Sequence, residues 1–187
     1  EVDRRLRETP LIAYGGWHSR YPELFQKYRQ EILELFAIDP KAEEKVKGWM
    51  KRLPEADLTL GLHIRRGDYA RWQGGKYFFD DSVYQKKIEE FIALHPGKRV
   101  NVLICTNDPQ LDLASYRAIH PQVFLSEGSA IEDLSLLAHC DYLLGVKSTF
   151  SLWASVYRDL PLYWIEDRET PLSLAGFKTF LDLCLLV

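Results

Sequence analysis

The pattern of apolar and polar positions predicts helices near the start of the chain and a strand after residue 57. Apolar residues recur at spacings of three and four over 21–36, with Leu24, Tyr28, Ile32 and Leu35 facing a core, which predicts an amphipathic helix. A second helix is expected to begin at the Asp39-Pro40 cap and to end at Pro54. Leucine and isoleucine then alternate with other residues over Leu58–Arg65, which predicts a strand. His63 and Arg65 share the second face of that strand.

The remainder of the chain continues this alternation of short apolar strands and amphipathic helices. A capping box, Ser129 to Glu132, opens one of the helices. Such an order indicates an α/β fold with a largely parallel sheet and helices on both faces. We therefore expect a helical segment over 1–57 followed by one α/β domain over 58–187. The predicted elements are helices over 81–94 and 148–157, the helix after Ser129, and strands over 100–105, 123–125, 142–146 and 160–165.

Composition narrows the classes of function. A chain of 187 residues with 47% hydrophobic content can bury one substantial core. Its formal net charge of -3 gives no global positive field, so we expect no nucleic-acid partner. No apolar run is long enough for a membrane span, so no integral membrane segment is expected. The three cysteines lack Cys-x-x-Cys spacing, which favours a reducing, cytoplasmic location, at most peripheral to a membrane.

Polar residues follow the predicted strands at 63–68, 106–108 and 147–151, where open α/β sheets bind their ligands. Arg65 and Arg66 form a cationic corner suited to a diphosphate, because guanidinium groups match phosphate oxygens bidentately. The alternative is a surface ion pair with Asp68. No metal site is expected, since the histidines and cysteines are scattered and Asp-x-Asp is absent.

The 147–151 segment places Ser148, Thr149 and Ser151 at a helix start, where free N–H groups favour a phosphate. Ordinary capping by Ser148 is the alternative. Glu132 is explained by the capping box. Asp133 has no such role, and its carboxylate can accept hydrogen bonds from the N–H edge of guanine.

Three blocks of sequence resemble the motifs of the α-1,2-fucosyltransferase family. The segment from Gly61 to Tyr69 is similar to the family's His-x-Arg-Arg-x-Asp motif, and 106–109 is similar to the second motif. The third is matched by 131–134, Cys140 and 147–153. The Gly-Gly-Leu-Gly-Asn-Gln segment that opens the family's N-terminal domain is absent, so the resemblance covers the donor-binding part without most of the acceptor-side domain.

This resemblance implies the Rossmann-like donor domain of a GT-B glycosyltransferase. It implies GDP-fucose as the donor substrate with no other cofactor, a glycan acceptor, an α-1,2 linkage, and inversion at the fucose anomeric carbon without metal. By position, Arg65 would bind the β-phosphate and serve as the catalytic residue, and His63 and Asp133 would hold guanine. The full predicted donor-binding set is His63, Arg65, Arg66, Asp68, Asn107, Asp108, Asp133, Ser148, Thr149 and Phe150.

Two other functions remain compatible with these residues. One is a non-catalytic module that binds a nucleotide or nucleotide sugar on the same fold. The other is an enzyme of the same architecture that uses a different nucleotide sugar. The sequence identifies neither the general base nor the acceptor glycan.

Overall fold

A five-stranded parallel sheet forms the centre of the computed structural model, which describes residues 22–184. The strands lie in the order β3-β2-β1-β4-β5, and every neighbouring pair is parallel. This confirms the predicted α/β class. The strands are β1 (Leu58–Ile64), β2 (Val100–Thr106), β3 (Val123–Leu125), β4 (Tyr142–Val146) and β5 (Leu162–Ile165).

Helices cover the sheet on both faces. They are α1 (Pro22–Lys27), α2 (Arg29–Leu35), α3 (Pro40–Met50), α4 (Asp81–Ala93), α5 (Leu113–Ile119), α6 (Ala130–Ala138), α7 (Thr149–Val156) and α8 (Phe180–Cys184). Short 3-10 turns occur at Gly67–Ala70, Trp72–Gly75 and Leu174–Gly176.

The period of two along each strand divides the core into two layers. Leu60, Leu62 and Ile64 of β1 pack with α4 and α5, which bury residues such as Phe91 and Tyr116 against that face. The opposite face packs against α3, α6, α7 and α8. Because the two sides of β1 meet different helices, the leucine face and the His63 face predicted from the alternation are separate environments.

The predicted helix over 21–36 is two helices, α1 and α2, divided at Tyr28, where φ is -109° and ψ is 21°. Tyr21 lies outside the described residues. The predicted inward stripe is wrong in part, since Leu24, Tyr28 and Leu35 are exposed and Phe25 and Leu33 pack on the core instead. Because the backbone departs from helical geometry at Tyr28, the core-facing positions of α2 do not continue those of α1 at a period of three to four.

The start of α3 agrees with the sequence, because Asp39 accepts hydrogen bonds from the N–H groups of Lys41 and Ala42 and Pro40 is the first helical residue. Helix α5 was not predicted. Its signal is a second aspartate cap, Asp112, which accepts from the N–H groups two and three residues later.

Helix α3 packs against α6, where the Ser135 hydroxyl donates to Glu43 Oε2 at 3.0 Å. The division into 1–57 and 58–187 stays a prediction, and residues 1–21 and 185–187 lie outside the described part. Over residues 22–184, none of the helices is long and apolar enough to cross a membrane.

Candidate functional site

The predicted polar loops meet where the strand order changes direction. The chain leaves β1 towards α4 on one face of the sheet and leaves the neighbouring β4 towards α7 on the other. The segments that follow β1 and β4 therefore separate, which leaves a crevice at the carboxyl ends of these two strands. This is the usual ligand position in an open α/β sheet.

His63 is the penultimate residue of β1 and lies at the floor of this crevice. It is 6% exposed, pairs in register with Cys105 of β2 and Gly145 of β4, and its ring lies 5.0 Å from that of Phe150. A side chain at position 145 would come within 2.7 Å of the His63 carbonyl oxygen, so only glycine permits this close approach.

The imidazole of His63 is neutral and incompletely bonded. Burial lowers its pKa to about 4, and the positive charge of Arg65 adds to that effect. Its Nδ1 atom is buried and has no hydrogen-bond partner among the described residues. Buried polar atoms are almost always paired, so an unpaired one at a ligand crevice points to a bound group that would complete it.

Arg65 follows β1 and projects at the rim of the crevice. Its Nη2 atom lies 2.8 Å from Asp68 Oδ1, and these side chains are 36% and 61% exposed. An exposed pair of this kind contributes only about 0–1 kcal/mol. Asp68 can therefore release the guanidinium to a more highly charged anion at little cost.

Arg66 points the opposite way. Its guanidinium donates to the Phe79 carbonyl and to Asp81, and its Nε atom lies 3.5 Å from Asp108 Oδ2. The side chain is 11% exposed and its guanidinium also lies 5.4 Å from the ring of Tyr84. The structure thus places Arg66 in an internal network on the α4 side, while Arg65 faces the crevice.

Asn107 and Asp108 hold the arginine loop in place. Asn107 Oδ1 accepts from the Arg66 N–H at 2.7 Å, and the Asn107 amide reaches the Arg66 carbonyl at 3.5 Å. Asp108 Oδ1 accepts from the N–H of Gln110 at 2.9 Å, closing a turn. Both side chains contact the loop that carries Arg65, so the structure links them to the crevice through that loop.

The start of α7 forms the far wall of the crevice. The Ser148 hydroxyl accepts from the N–H of Phe150 at 3.2 Å, which confirms it as the N-cap. Thr149 is exposed at the first helical position, and Ser151 is buried with its hydroxyl donating to the Ser148 carbonyl at 3.2 Å. Thr149, and not Ser151, therefore presents its hydroxyl outside the protein.

Asp133 lies in the first turn of α6, close to the end of β2. The Cys105 thiol donates to the Asp133 carbonyl at 3.8 Å, and Cys105 pairs in register with His63. Burial raises the pKa of the Asp133 carboxyl. Glu132 is the predicted cap, since its carboxylate accepts from the Ser129 N–H at 2.6 Å. The two neighbouring acids thus have separate environments.

Tyr69 connects the two walls of the crevice and was not singled out from the sequence. Its hydroxyl donates to the Lys147 carbonyl at 2.7 Å, and its ring centroid lies 5.7 Å from the Arg65 guanidinium carbon. The ring is 8% exposed, and burial raises the pKa of its hydroxyl. The sequence signal for this residue was its position directly after the cationic motif.

These groups suit a nucleoside diphosphate. Arg65 and the α7 start offer positive charge and N–H donors to phosphate oxygens, and the neutral His63 and the Asp133 carboxylate offer hydrogen bonds to a base. Across residues 22–184, no cluster of three or more His, Cys, Asp or Glu side chains could hold a metal ion.

Comparison with known proteins agrees with this geometry. The chain is 26% identical to the galactoside 2-alpha-L-fucosyltransferase Sec1 of Mus musculus over 82% of its own length and 45% of that protein. It is 23% identical to galactoside alpha-(1,2)-fucosyltransferase 2 of Oryctolagus cuniculus, covering 82% of the chain and 46% of the relative. The chain thus spans less than half the length of these relatives.

Solved structures share the fold. The chain matches the NodZ alpha-1,6-fucosyltransferase from a crystal soaked with GDP-fucose with a TM-score of 0.51 and 20% identity, covering 72% of this chain and 47% of that one. It matches POFUT1 in complex with GDP with a TM-score of 0.55 and 14% identity, covering 69% and 47%.

A family model covers most of the chain and includes all three motif blocks. The model described as "Glycosyl transferase family 11" matches residues 14–158, from the helical segment to the end of α7. On this match, and with the sheet and crevice described above, the chain belongs to glycosyl transferase family 11.

Proposed function

We propose that this chain forms the donor-binding part of a fucosyltransferase that moves fucose from GDP-fucose to a hydroxyl of a glycan acceptor. The observation that carries the proposal is the convergence of His63, Arg65 and the α7 start at one crevice, with Asp133 linked to His63 through Cys105 of the neighbouring strand. The relatives named as galactoside 2-alpha-L-fucosyltransferases support the α-1,2 linkage. A cytoplasmic location remains part of the proposal, resting on an odd number of cysteines, of which Cys105 and Cys140 are buried and free.

In the proposed complex, Arg65 binds the β-phosphate. Its exposed bond to Asp68 is replaced by a bidentate bond to phosphate oxygens, which guanidinium geometry favours. Thr149 and the N–H groups at the start of α7 face the same diphosphate, where the positive end of the helix dipole adds to the attraction.

Guanine in this complex lies between His63 and Asp133. The neutral imidazole supplies a hydrogen bond without bringing a second positive charge beside Arg65. The Asp133 carboxylate accepts from guanine N1–H and N2–H, a pair of donors that adenine and uracil do not present in this arrangement. The Phe150 ring packs on His63 and limits where the nucleotide can sit.

The proposed transfer breaks the bond between the fucose anomeric carbon and the β-phosphate oxygen and forms a bond from that carbon to the acceptor oxygen. The acceptor hydroxyl proton passes to a general base, and GDP leaves with the electrons of the broken bond. The negative charge that grows on the leaving diphosphate is stabilised by Arg65 and the α7 donors, which contribute most in the transition state. Inversion and independence of metal belong to the proposal.

A panel of nucleotides tests the proposal most directly. We expect GDP to raise the melting temperature of the full-length protein, because a ligand at about 100 times its Kd stabilises the fold by roughly 2.7 kcal/mol. UDP and ADP at the same concentration should give a much smaller shift. A larger shift for UDP or ADP than for GDP would indicate another nucleotide sugar.

Transfer of fucose from GDP-fucose to a galactoside by the same preparation separates an enzyme from a binding module. GDP selectivity together with transfer supports the proposed function. GDP selectivity with neither transfer nor hydrolysis, across a panel of glycan acceptors, would instead support a non-catalytic nucleotide-binding module.

A further inference from the structure

Ser126 contacts the Asp133 carboxylate, which the proposed function assigns to guanine, without belonging to any of the three motif blocks. It is the first residue after β3, and its N–H donates to the Ile104 carbonyl of β2 at 2.8 Å. That bond continues the ladder between the two strands by one residue. The backbone of Ser126 is therefore fixed by the sheet even though it follows the strand.

The Ser126 hydroxyl has a defined direction. It accepts a hydrogen bond from the Gly128 N–H at 3.2 Å and contacts Asp133 Oδ1 at hydrogen-bond distance. An N–H group can only donate, and an ionised carboxylate can only accept. The single hydroxyl proton of Ser126 must therefore point to Asp133. The donor and the acceptor are thus fixed in both hydrogen bonds, from Gly128 to Ser126 and from Ser126 to Asp133.

The backbone of Asp133 is fixed independently of Ser126. Its N–H donates to the Ser129 carbonyl at 2.8 Å, and its carbonyl accepts from the Cys105 thiol at 3.8 Å. Rotation of the side chain is then the remaining freedom, and the Ser126 hydroxyl restricts it together with the Cys105 thiol. The neighbouring Glu132 cannot replace Asp133, because Lys45 and the Ser129 N–H occupy its carboxylate at 2.6 Å each.

We propose that Ser126 is a positioning residue for base selection, which orients the Asp133 carboxylate so that it accepts from the 2-amino group of a guanine base. This inference rests on the proposed function. The Ser126 hydroxyl occupies one acceptor site on Oδ1, and the Cys105 thiol is a second side-chain donor to this carboxylate, which leaves the remaining lone pairs for the base. The bond also favours the ionised carboxylate against the burial that raises its pKa.

The test compares GDP with IDP, whose base lacks the 2-amino group but keeps N1–H. Affinities for GDP, IDP and pyrophosphate are measured by titration calorimetry on the full-length protein and its Ser126→Ala and Ser126→Thr variants. We expect Ser126→Ala to reduce the preference for GDP over IDP by about tenfold, near the lower end for a hydrogen bond to a charged group. Affinity for pyrophosphate should not change, and threonine, which keeps the hydroxyl, should retain most of the preference.

Ser129→Ala is the matched control, because it removes a serine hydroxyl from the start of the same helix without touching the Asp133 side chain. It should lower the melting temperature but leave the ratio of GDP to IDP affinity unchanged. An equal loss of that ratio in Ser129→Ala would reduce Ser126 to a structural role and overturn the inference.

The failures of the inference and of the proposed function are distinguishable. If the unmodified protein binds GDP no better than UDP or ADP, the proposed function fails. If it selects GDP over IDP and Ser126→Ala keeps that ratio, the proposed function stands and the positioning role is wrong.

Discussion

Polar residues at the carboxyl ends of the strands differ in their hydrogen bonding between the α4 side and the crevice side. On the α4 side, Arg66 bonds to the Phe79 carbonyl, Asp81 and Asp108 and is 11% exposed. On the crevice side, Arg65 has one exposed partner, and the buried Nδ1 of His63 has none among the described residues. Arg65 and Arg66, which are adjacent in one motif, thus differ in the partners that the protein provides for them. A polar group that the protein satisfies supports the fold, and one that it leaves available is suited to a ligand.

The network on the α4 side extends beyond Arg66, although the buried Tyr84 hydroxyl has no hydrogen-bond partner among the described residues. The Tyr116 hydroxyl of α5 donates to Asp81 Oδ1 at 2.8 Å, so the network joins α4 and α5 above the first core layer. Burial raises the pKa of Tyr84 and Tyr116, which keeps both hydroxyls neutral near the Arg66 charge. The difference between the two sides can be tested residue by residue.

The largest expected effect is on folding, from Arg66→Ala. Removing the guanidinium takes the donor from the Phe79 carbonyl and one of two donors from Asp81, which is 37% exposed and keeps the Tyr116 hydroxyl. Each acceptor left short of a donor costs about 1–3 kcal/mol. Urea unfolding measures this loss. Arg99→Ala is the control, because Arg99 also pairs with two acids, Glu55 and Asp57, but is 52% exposed and should cost less than about 1 kcal/mol. Equal stabilities for the two variants would show that the Arg66 network is not structural.

Arg65→Ala is expected to have the next largest effect, and on catalysis. Loss of one preorganised donor to the leaving diphosphate should lower kcat for fucose transfer by about 10²–10³, with the melting temperature unchanged. Arg65→Lys should restore little, since one ammonium cannot replace a planar fork. Near wild-type turnover in the alanine variant would refute the role, and full rescue by lysine would reduce it to long-range charge.

The buried His63 predicts a pH-dependent loss of stability. Its pKa is about 4 in the folded protein, against 6.5 for an unperturbed histidine. As pH falls through that window the unfolded chain takes up a proton that the native state does not, so stability decreases by roughly 3 kcal/mol. The measurement is the free energy of unfolding of wild type and His63→Gln across this range. Parallel curves would show that His63 is not held neutral by burial.

Asp133→Ala should weaken GDP binding by about 1–3 kcal/mol, the scale of a bidentate base contact, with little effect on pyrophosphate. Asp141→Ala is the matched control. The Asp141 carboxylate accepts a hydrogen bond from the Thr59 N–H at 2.7 Å, as that of Asp133 does from the Ser126 hydroxyl, but it lies at the amino ends of the strands. Equal weakening of GDP and pyrophosphate by Asp133→Ala would place this residue near the phosphates.

The smallest expected effect is that of a chelator. Because Arg65 and the α7 start supply positive charge to the diphosphate, GDP affinity should be almost unchanged by EDTA. A loss of about tenfold, equivalent to 1.4 kcal/mol, would mean that a metal ion bridges the diphosphate.

Local signals in the sequence predicted the fold class and the loops that carry the motif residues. Alternation over β1, the Asp39-Pro40 cap and the Ser129–Glu132 capping box are local signals, because backbone geometry and capping depend on residues only a few positions apart. The same periodicity predicted that the polar loops lie at the strand ends, and the motif blocks in them came from the family resemblance. Even the missed helix α5 carried a local signal in the Asp112 cap.

The contacts of each polar residue depend on how the whole chain packs. Arg65 and Arg66 have the same chemistry, and their separation into a crevice residue and a network residue depends on Asp81, which lies in a different element. The orientation of Asp133 by Ser126 likewise requires the end of β3 to lie beside the first turn of α6. Such contacts join residues brought together by packing of the whole sheet, and no local period or spacing records which partners meet.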